Sequence, residues 1–272
     1  MERNFLLTIE YDGTGFSGWQ RQPDKPTVQG TLEKALSTVM GRDIKVNGTS
    51  RTDAGVHAYG QRASFKGEFW IPTEKLAMVV NNRLSGGLRG KTVVGPVRVT
   101  EVKEMPLDFH ARFDSVGKTY IYRIRNTQHM DIFQRNYCYQ VPDKLDIGAM
   151  QEAALHIEGT HDFACFQAAG GEERETTVRT VWQLKLQSAG NDLYIIITGD
   201  GFLYNMVRII TGTLVEVGLG KRSPESVKKT IESLDRQNAG HTAPPQGLYL
   251  KEVYYDVKEV PGYDRVKASQ LG

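Results

Sequence analysis

Cysteine is scarce in this chain: Cys138 and Cys165 are the only two in 272 residues. They form no Cys-x-x-Cys pair and have no histidine at a matching spacing. That speaks against a zinc site or a disulfide framework and for two packed thiols in a reducing compartment. Long apolar runs are also missing. The opening MERNFLLTIEYDG holds an apolar stretch of about three residues before Thr8 breaks it, too short for a signal peptide. No segment approaches the roughly 18 apolar residues of a membrane span. The expectation is a soluble cytoplasmic protein with no membrane partner. A strong charge of one sign is absent too, since 34 Lys and Arg face 32 Asp and Glu, a net charge of +2. Any nucleic-acid surface must then be a local patch on a near-neutral body. His156 and His161 stand five apart across Gly159, where a helical metal pair needs three or four, so no metal is expected.

What is present can fold. Hydrophobic residues make up 39%, enough for a core, and the length calls for one large or two modest domains. Residues 5–11, FLLTIEY, predict a strand ending in an Asp-Gly turn. A Gly-rich polar segment, DGTGFSGWQRQPDKP, follows. Thr27 caps a helix with Val28, Leu32, Ala35, Leu36 and Val39 on one face, stopping at Gly41. A short strand near 43–47 leads into the polar loop NGTSRTDAGVHA, and a strand resumes over 61–66. Thr73 caps a second helix running to about Leu84, SGGLRGK turns, and 92–103 is a strand. The stretch 104–117 is irregular and reads as a domain junction. Beyond it come strands over 118–126 and near 136–141, a helix near 146–157, and strands near 179–187 and 192–199. A helix starts near Leu203 and runs through MVRIITGTLVEVG, Pro224 opens another, and 248–256 is a closing strand. Both halves are strand-rich with helices that can cover one sheet face, an α+β arrangement.

Two glycine motifs need weighing. Gly13-Thr14-Gly15-Phe16-Ser17-Gly18 matches the letters of a dinucleotide-binding fingerprint and follows a strand. That fingerprint needs a helix beginning inside it, so that the helix N-terminus meets the pyrophosphate. Here Trp19, Gln20 and two prolines follow, and the segment reads instead as a mobile surface loop. No nicotinamide or flavin is expected. Gly90-Lys91-Thr92 resembles the end of a phosphate-binding loop, but Ser85 stands at the leading glycine position and a strand follows.

The stretch Arg51-Thr52-Asp53-Ala54-Gly55-Val56-His57 carries the most information. It sets a carboxylate beside a guanidinium, with Gly55 permitting a tight turn and strand-like residues on both sides. Read alone, it leaves two possibilities open. One is a reactive side chain presented by a rigid scaffold. The other is an aspartate that caps a turn and pairs with its neighbour.

With Ala58 added, that stretch resembles the catalytic signature of the tRNA pseudouridine synthase A family. Further blocks follow in family order: Ile9-Glu10-Tyr11-Asp12-Gly13, Gly18-Trp19-Gln20-Arg21-Gln22, and Phe109-His110-Ala111-Arg112-Phe113 with Tyr120 and Tyr122. Gly159-Thr160-His161-Asp162-Phe163, Met206-Val207-Arg208 and Gly247-Leu248-Tyr249-Leu250 complete them. Two positions depart from the pattern: Ser50 stands where the family often has Gly, and Ser85 follows Leu84 where it often has Pro.

The resemblance implies a pseudouridine synthase fold: two ferredoxin-like domains sharing a continuous, mainly antiparallel central sheet with helices on one face. Placed on this chain, these are an N-terminal α/β domain over 1–106 carrying the Asp loop and a C-terminal α/β domain over 107–260. A tail covers 261–272. The implied enzyme is a homodimeric isomerase acting on tRNA, turning uridine into pseudouridine at positions 38, 39 and 40 of the anticodon stem-loop. The reaction breaks the N1–C1′ bond, turns the uracil and rejoins it through C5, which needs no redox change, metal or cofactor. The target base must be flipped out of its stem first. Asp53 takes the role of nucleophile, with attack on the sugar, attack on the base and removal of a sugar proton all left open, and Arg208 that of its ion-pair partner. Tyr120 lies against the uracil face, while Tyr122 suits ordinary strand packing. Arg51 contacts the RNA backbone and helps extrude the nucleotide, and Arg21 and Leu248 belong to the substrate-binding set. Arg42, Arg62 and Lys66 lie near the loop in sequence and are candidate phosphate contacts. The alternative is a tRNA-binding module of the same fold without activity, against which Asp53, Tyr120 and Arg208 argue together.

Overall fold

The structure is a computed structural model that describes residues 2–68, 70–86, 94–171 and 175–266. Its elements run β1 (Glu2–Tyr11), α1 (Val28–Met40), β2 (Asn47–Gly48), β3 (His57–Glu68), α2 (Thr73–Leu84) and β4 (Val97–Met105). They continue as β5 (Gly117–Asn126), β6 (Tyr139–Val141), α3 (Ile147–Leu155), β7 (Gly159–Asp162), β8 (Val178–Ala189) and β9 (Asp192–Gly199). The last are α4 (Met206–Gly218), α5 (Ser226–Ser233) and β10 (Leu248–Tyr254). The class is α+β with mainly antiparallel pairing, as read from the sequence; β10 on β3 and β6 on β5 are the parallel pairs among those described. Two compact units emerge: Met1–Ser115 with Tyr249–Tyr255, and Val116–Leu248 with Asp256–Gly272.

In the first unit the strand order is β4-β1-β3-β10, with β2 on β3. Alternation along β1 buries Phe5, Leu7, Ile9 and Tyr11, and Phe5 stacks on Phe65 of β3 at 5.4 Å. Helix α1 forms as expected. Thr27 Oγ1 accepts from the Gly30 N–H, Gly41 closes the helix at φ 68°, and Val28, Leu32, Ala35 and Leu36 make one buried face.

Three expectations differ from the structure here, two of them for identifiable reasons. The strand near 43–47 shrinks to Asn47–Gly48, because the Glu33 carboxylate takes the Val46 N–H at 3.1 Å and Ser37 takes that of Ile44. Thr73 does not cap α2. The cap position is Pro72, and the Thr73 hydroxyl accepts at 2.6 Å from the Arg3 guanidinium, which also grips Glu104. The strand placed at 92–103 begins only at Val97. Residues 92–93, most of SGGLRGK and Gly90-Lys91-Thr92 lie outside the described residues.

In the second unit the order is β5-β9-β8-β7, with β6 on β5. Edge strand β7 has no counterpart in the sequence reading; its four residues carry little alternation. Helix α4 is buried nearly all round, as its uniformly apolar and small residues require. It starts at Met206 rather than Leu203 because Asn205 is left-handed at φ 60°. Both cysteines are buried and unpaired, and burial pushes the Cys165 thiol up to about 12. Among the described residues, no helix is long and apolar enough to cross a membrane.

The two threonines separate cap from non-cap. Thr27→Ala should lower stability by about 1 kcal/mol, the usual cost of a lost N-cap. Thr73→Ala, which removes a hydroxyl from the Arg3–Glu104 pair but leaves that pair in place, should cost less. Urea unfolding midpoints of the two variants check the order, and equal losses would contradict it.

Candidate active site

The loop between β2 and β3 is braced at nearly every residue. The Thr49 N–H donates to the Arg62 carbonyl at 2.8 Å, and its hydroxyl donates to the Ala111 carbonyl at 2.9 Å. The Tyr255 hydroxyl shares that carbonyl at 3.0 Å, and burial pushes this phenol up to about 12, so it stays a neutral donor. Ser50 is clasped by the fully buried Gln61, whose Nε2 donates to the Ser50 carbonyl at 2.6 Å and whose Oε1 accepts the Ser50 N–H at 3.2 Å. A side chain thus extends the strand pairing by one residue. The Thr52 hydroxyl meets the Tyr11 hydroxyl at 2.6 Å, and its carbonyl accepts the Trp19 N–H at 3.0 Å. The Asp53 carbonyl accepts the Val56 N–H at 3.2 Å, closing a turn that Gly55 allows at φ 78°. Between these anchors the Asp53 side chain is half-buried and Arg51 is exposed.

His57 closes the loop. Its Nδ1 lies 3.0 Å from the Gly13 N–H and 3.3 Å from Asp12 Oδ1. Only one of these can be a hydrogen bond to the same lone pair or proton. A backbone N–H can only donate, and Asp12 Oδ1 already accepts from the Thr14 N–H and hydroxyl. Nδ1 is therefore the acceptor, and the ring proton sits on Nε2.

The glycines of 13–18 have a role that neither a dinucleotide site nor a mobile loop describes. A Cβ on Gly13 would stand 2.1 Å from the Val56 carbonyl oxygen, and one on Gly18, at φ 91°, would stand 2.7 Å from that of Thr52. The segment lies directly against the Asp53 loop. It is anchored by the 1% exposed Trp19, by Ser17 N–H to the Pro26 carbonyl and by Gln29 N–H to the Trp19 carbonyl. The surface-loop expectation is corrected accordingly.

The basic residues near the loop divide. Arg62 joins strands: its Nη1 donates to Thr8 Oγ1 at 2.5 Å and lies 3.4 Å from Glu101. Arg42 donates to the Glu68 carbonyl. Arg21 lies 3.3 Å from the buried carboxylate of Glu33, along an open groove that also exposes Lys34 and Lys45. Lys66 is exposed.

The second unit holds the other site residues read from the sequence. Tyr120 on β5 is nearly buried and meets Phe202 edge-to-face at 5.3 Å. Tyr122 is wholly buried; it donates to the Pro244 carbonyl at 2.6 Å, and burial raises its hydroxyl well above the usual tyrosine range, which fits the packing role read for it. Arg208, in the first turn of α4, donates from Nε to the Ala243 carbonyl at 2.8 Å and from Nη1 to Asn205 Oδ1 at 2.6 Å. Leu248 is buried at the start of β10, after Gly247, whose Cβ position would fall 2.6 Å from the Tyr122 ring. His161 places Nε2 against the Glu158 carbonyl at 3.0 Å. Among the described residues no three His, Cys, Asp or Glu gather as metal ligands. Sequence reasoning missed Gln61, Tyr255 and Asn205. For Gln61 the available signal was a polar residue inside a strand of buried neighbours.

Gly13→Ala tests the brace. The methyl group cannot fit without moving the loop backbone, so the unfolding midpoint should fall and the Val56 amide should exchange faster with solvent. Unchanged protection at Val56 would show that the close approach does not hold the turn.

Comparison with known proteins places the chain in a family. A family model described as tRNA pseudouridine synthase matches residues 7–114 and 153–256, which include the Asp53 loop, Arg208 and Leu248. The tRNA pseudouridine synthase A 2 of Clostridium tetani is 46% identical over 258 residues, covering 94% of this chain and 100% of the relative. The tRNA pseudouridine synthase A of Caldicellulosiruptor bescii is 46% identical over 253 residues, 93% of this chain and 100% of its own. That of a Geobacillus species is 44% identical over 257 residues, with 94% and 100% covered. Matched along most of its length by the family model and by full-length relatives, the chain belongs to the tRNA pseudouridine synthase family.

Proposed function

We propose that this chain isomerises uridine to pseudouridine at positions 38, 39 and 40 of the tRNA anticodon stem-loop, with Asp53 as the nucleophile. The observation that carries the proposal is the bracing of the Asp53 loop, in a chain of this family, by bonds at Thr49, Ser50, Thr52, Asp53 and His57. The net reaction balances within the substrate: the N1–C1′ bond breaks, a C5–C1′ bond forms, the proton lost from C5 is matched by one gained at N1, and any bond the Asp53 carboxylate makes to the substrate on the way is broken again before the product leaves. One carboxylate in a shielded pocket suffices to begin it.

The remaining residues take the following roles in this reading. Arg208 would keep the carboxylate ionised, as a neighbouring cation does against desolvation, and its guanidinium is already fixed at two nitrogens. Tyr120 would face the uracil, its ring held edge-on by Phe202. Arg51, exposed at the loop, would contact the RNA backbone. Arg21 and Leu248 complete the substrate-binding set. The working form in this reading is a cytoplasmic homodimer without cofactor.

Mapping pseudouridine in tRNA from a strain lacking this chain tests the proposal. Positions 38–40 should revert to uridine and recover when the chain is restored; intact modification would overturn it. Arg51→Ala should weaken tRNA binding and reduce the log–log salt slope by about one unit, as loss of one phosphate contact does. Arg21→Ala is a poorer probe, because it strips the Glu33 carboxylate of its cation. An unchanged salt slope in Arg51→Ala would remove Arg51 from the backbone contacts.

A further inference from the structure

Asn205 occupies the N-cap position of α4 yet does not cap it. Its side chain makes no bond to the helix's first N–H groups, and its backbone is left-handed at φ 60° and ψ 6°. An N-cap asparagine is normally extended and accepts from the second or third helical N–H. Left-handed backbone is disfavoured for any residue with a Cβ, although asparagine tolerates it better than most. What this conformation achieves is the 2.6 Å bond from Arg208 Nη1 to Asn205 Oδ1. A guanidinium only donates, so the contact also fixes which amide atom faces Arg208.

A second grip completes the arrangement. Arg208 and Ala243 bond reciprocally, with Arg208 Nε to the Ala243 carbonyl at 2.8 Å and the Ala243 N–H to the Arg208 carbonyl at 3.1 Å. The segment carrying Ala243 is itself pinned along α4. The Gly240 N–H donates to Thr213 Oγ1 and the His241 N–H to the Glu216 carboxylate, both at 2.9 Å. Next along, the Pro244 carbonyl accepts from Tyr122. Gly212 admits the His241 carbonyl where a Cβ would stand at 1.8 Å. One acceptor is thus built into a rigid backbone and the other is a single side chain. Two fixed nitrogens define the plane of a guanidinium.

We infer that Asn205 is a positioning residue, which orients the Arg208 guanidinium for the reaction at the expense of its own helix cap. The inference rests on the reading of Arg208 given above. Its test uses the full-length protein and compares Asn205→Gly, Asn205→Asp and Arg208→Ala. The readouts are single-turnover pseudouridine formation on saturating enzyme, tRNA affinity and the unfolding midpoint. Glycine accepts positive φ freely, so Asn205→Gly should unfold no earlier than the unmodified chain. Its single-turnover rate should nevertheless fall on the order of tenfold to a hundredfold, the scale of a misplaced catalytic group, while tRNA affinity stays within about threefold of the unmodified chain, since the proposed partner of Arg208 is not a phosphate. Asn205→Asp retains the acceptor and should recover most of the rate. A normal rate in Asn205→Gly beside a dead Arg208→Ala would overturn the inference and leave the role of Arg208 standing. An Asn205→Asp as slow as Asn205→Gly, or an Asn205→Gly that fails to fold, would also overturn it. A normal rate in Arg208→Ala would instead overturn the reading on which it rests.

Discussion

The backbone of residues 13–19 lies so close to that of residues 52–56 that the space allows hydrogen atoms and no Cβ at Gly13 and Gly18. The rest of the Asp53 loop depends on that approach. It lets the Trp19 N–H reach the Thr52 carbonyl and the Gly13 N–H reach His57, and it buries Trp19 behind them. Gly48 extends the same constraint, since a Cβ there would fall 2.3 Å from Trp19 Nε1. A buried amide left without a partner costs about 1–3 kcal/mol. These contacts therefore decide whether the loop has one conformation or several.

Side chains do the remaining work. Gln61 on β3 satisfies both backbone groups of Ser50, and Thr49 is tied through the Ala111 carbonyl to Tyr255. A loop held this way keeps its backbone polar groups paired without being a strand. It can present a charged side chain at a defined place. The Ser50 hydroxyl is a local exception, buried with no hydrogen-bond partner among the described residues. Arg208 follows the same logic in the second unit, with a carbonyl and an amide oxygen fixing its plane.

Much of the fold was legible because its signals are local. The cap and stop of α1, and the alternation of KTYIYRIRN and DLYIIITG, lie within a few residues of what they determine. The failures were long-range. Nothing near Val46 announces that Glu33 will take its N–H, and nothing near Thr73 announces Arg3. The glycines of 13–18 mislead as a sequence pattern, because the backbone they accommodate is about forty residues away. At the site, the Arg51–His57 stretch alone left the turn reading open, and only the family resemblance singled out Asp53. Asn205 was illegible because its purpose appears only with its backbone conformation and the guanidinium beside it.

On the proposed function, this braced scaffold serves to hold the charge of one carboxylate, that of Asp53. Asp53→Asn removes the charge and the nucleophile while keeping size and shape, and asparagine favours the same turns as aspartate. Pseudouridine formation should be measured in a single turnover at saturating enzyme, with tRNA affinity measured alongside to hold binding apart from chemistry. The account predicts a normally folded variant that binds tRNA within about tenfold, roughly 1.4 kcal/mol, of the unmodified chain and forms no detectable product. Turnover by Asp53→Asn near the unmodified rate would contradict it.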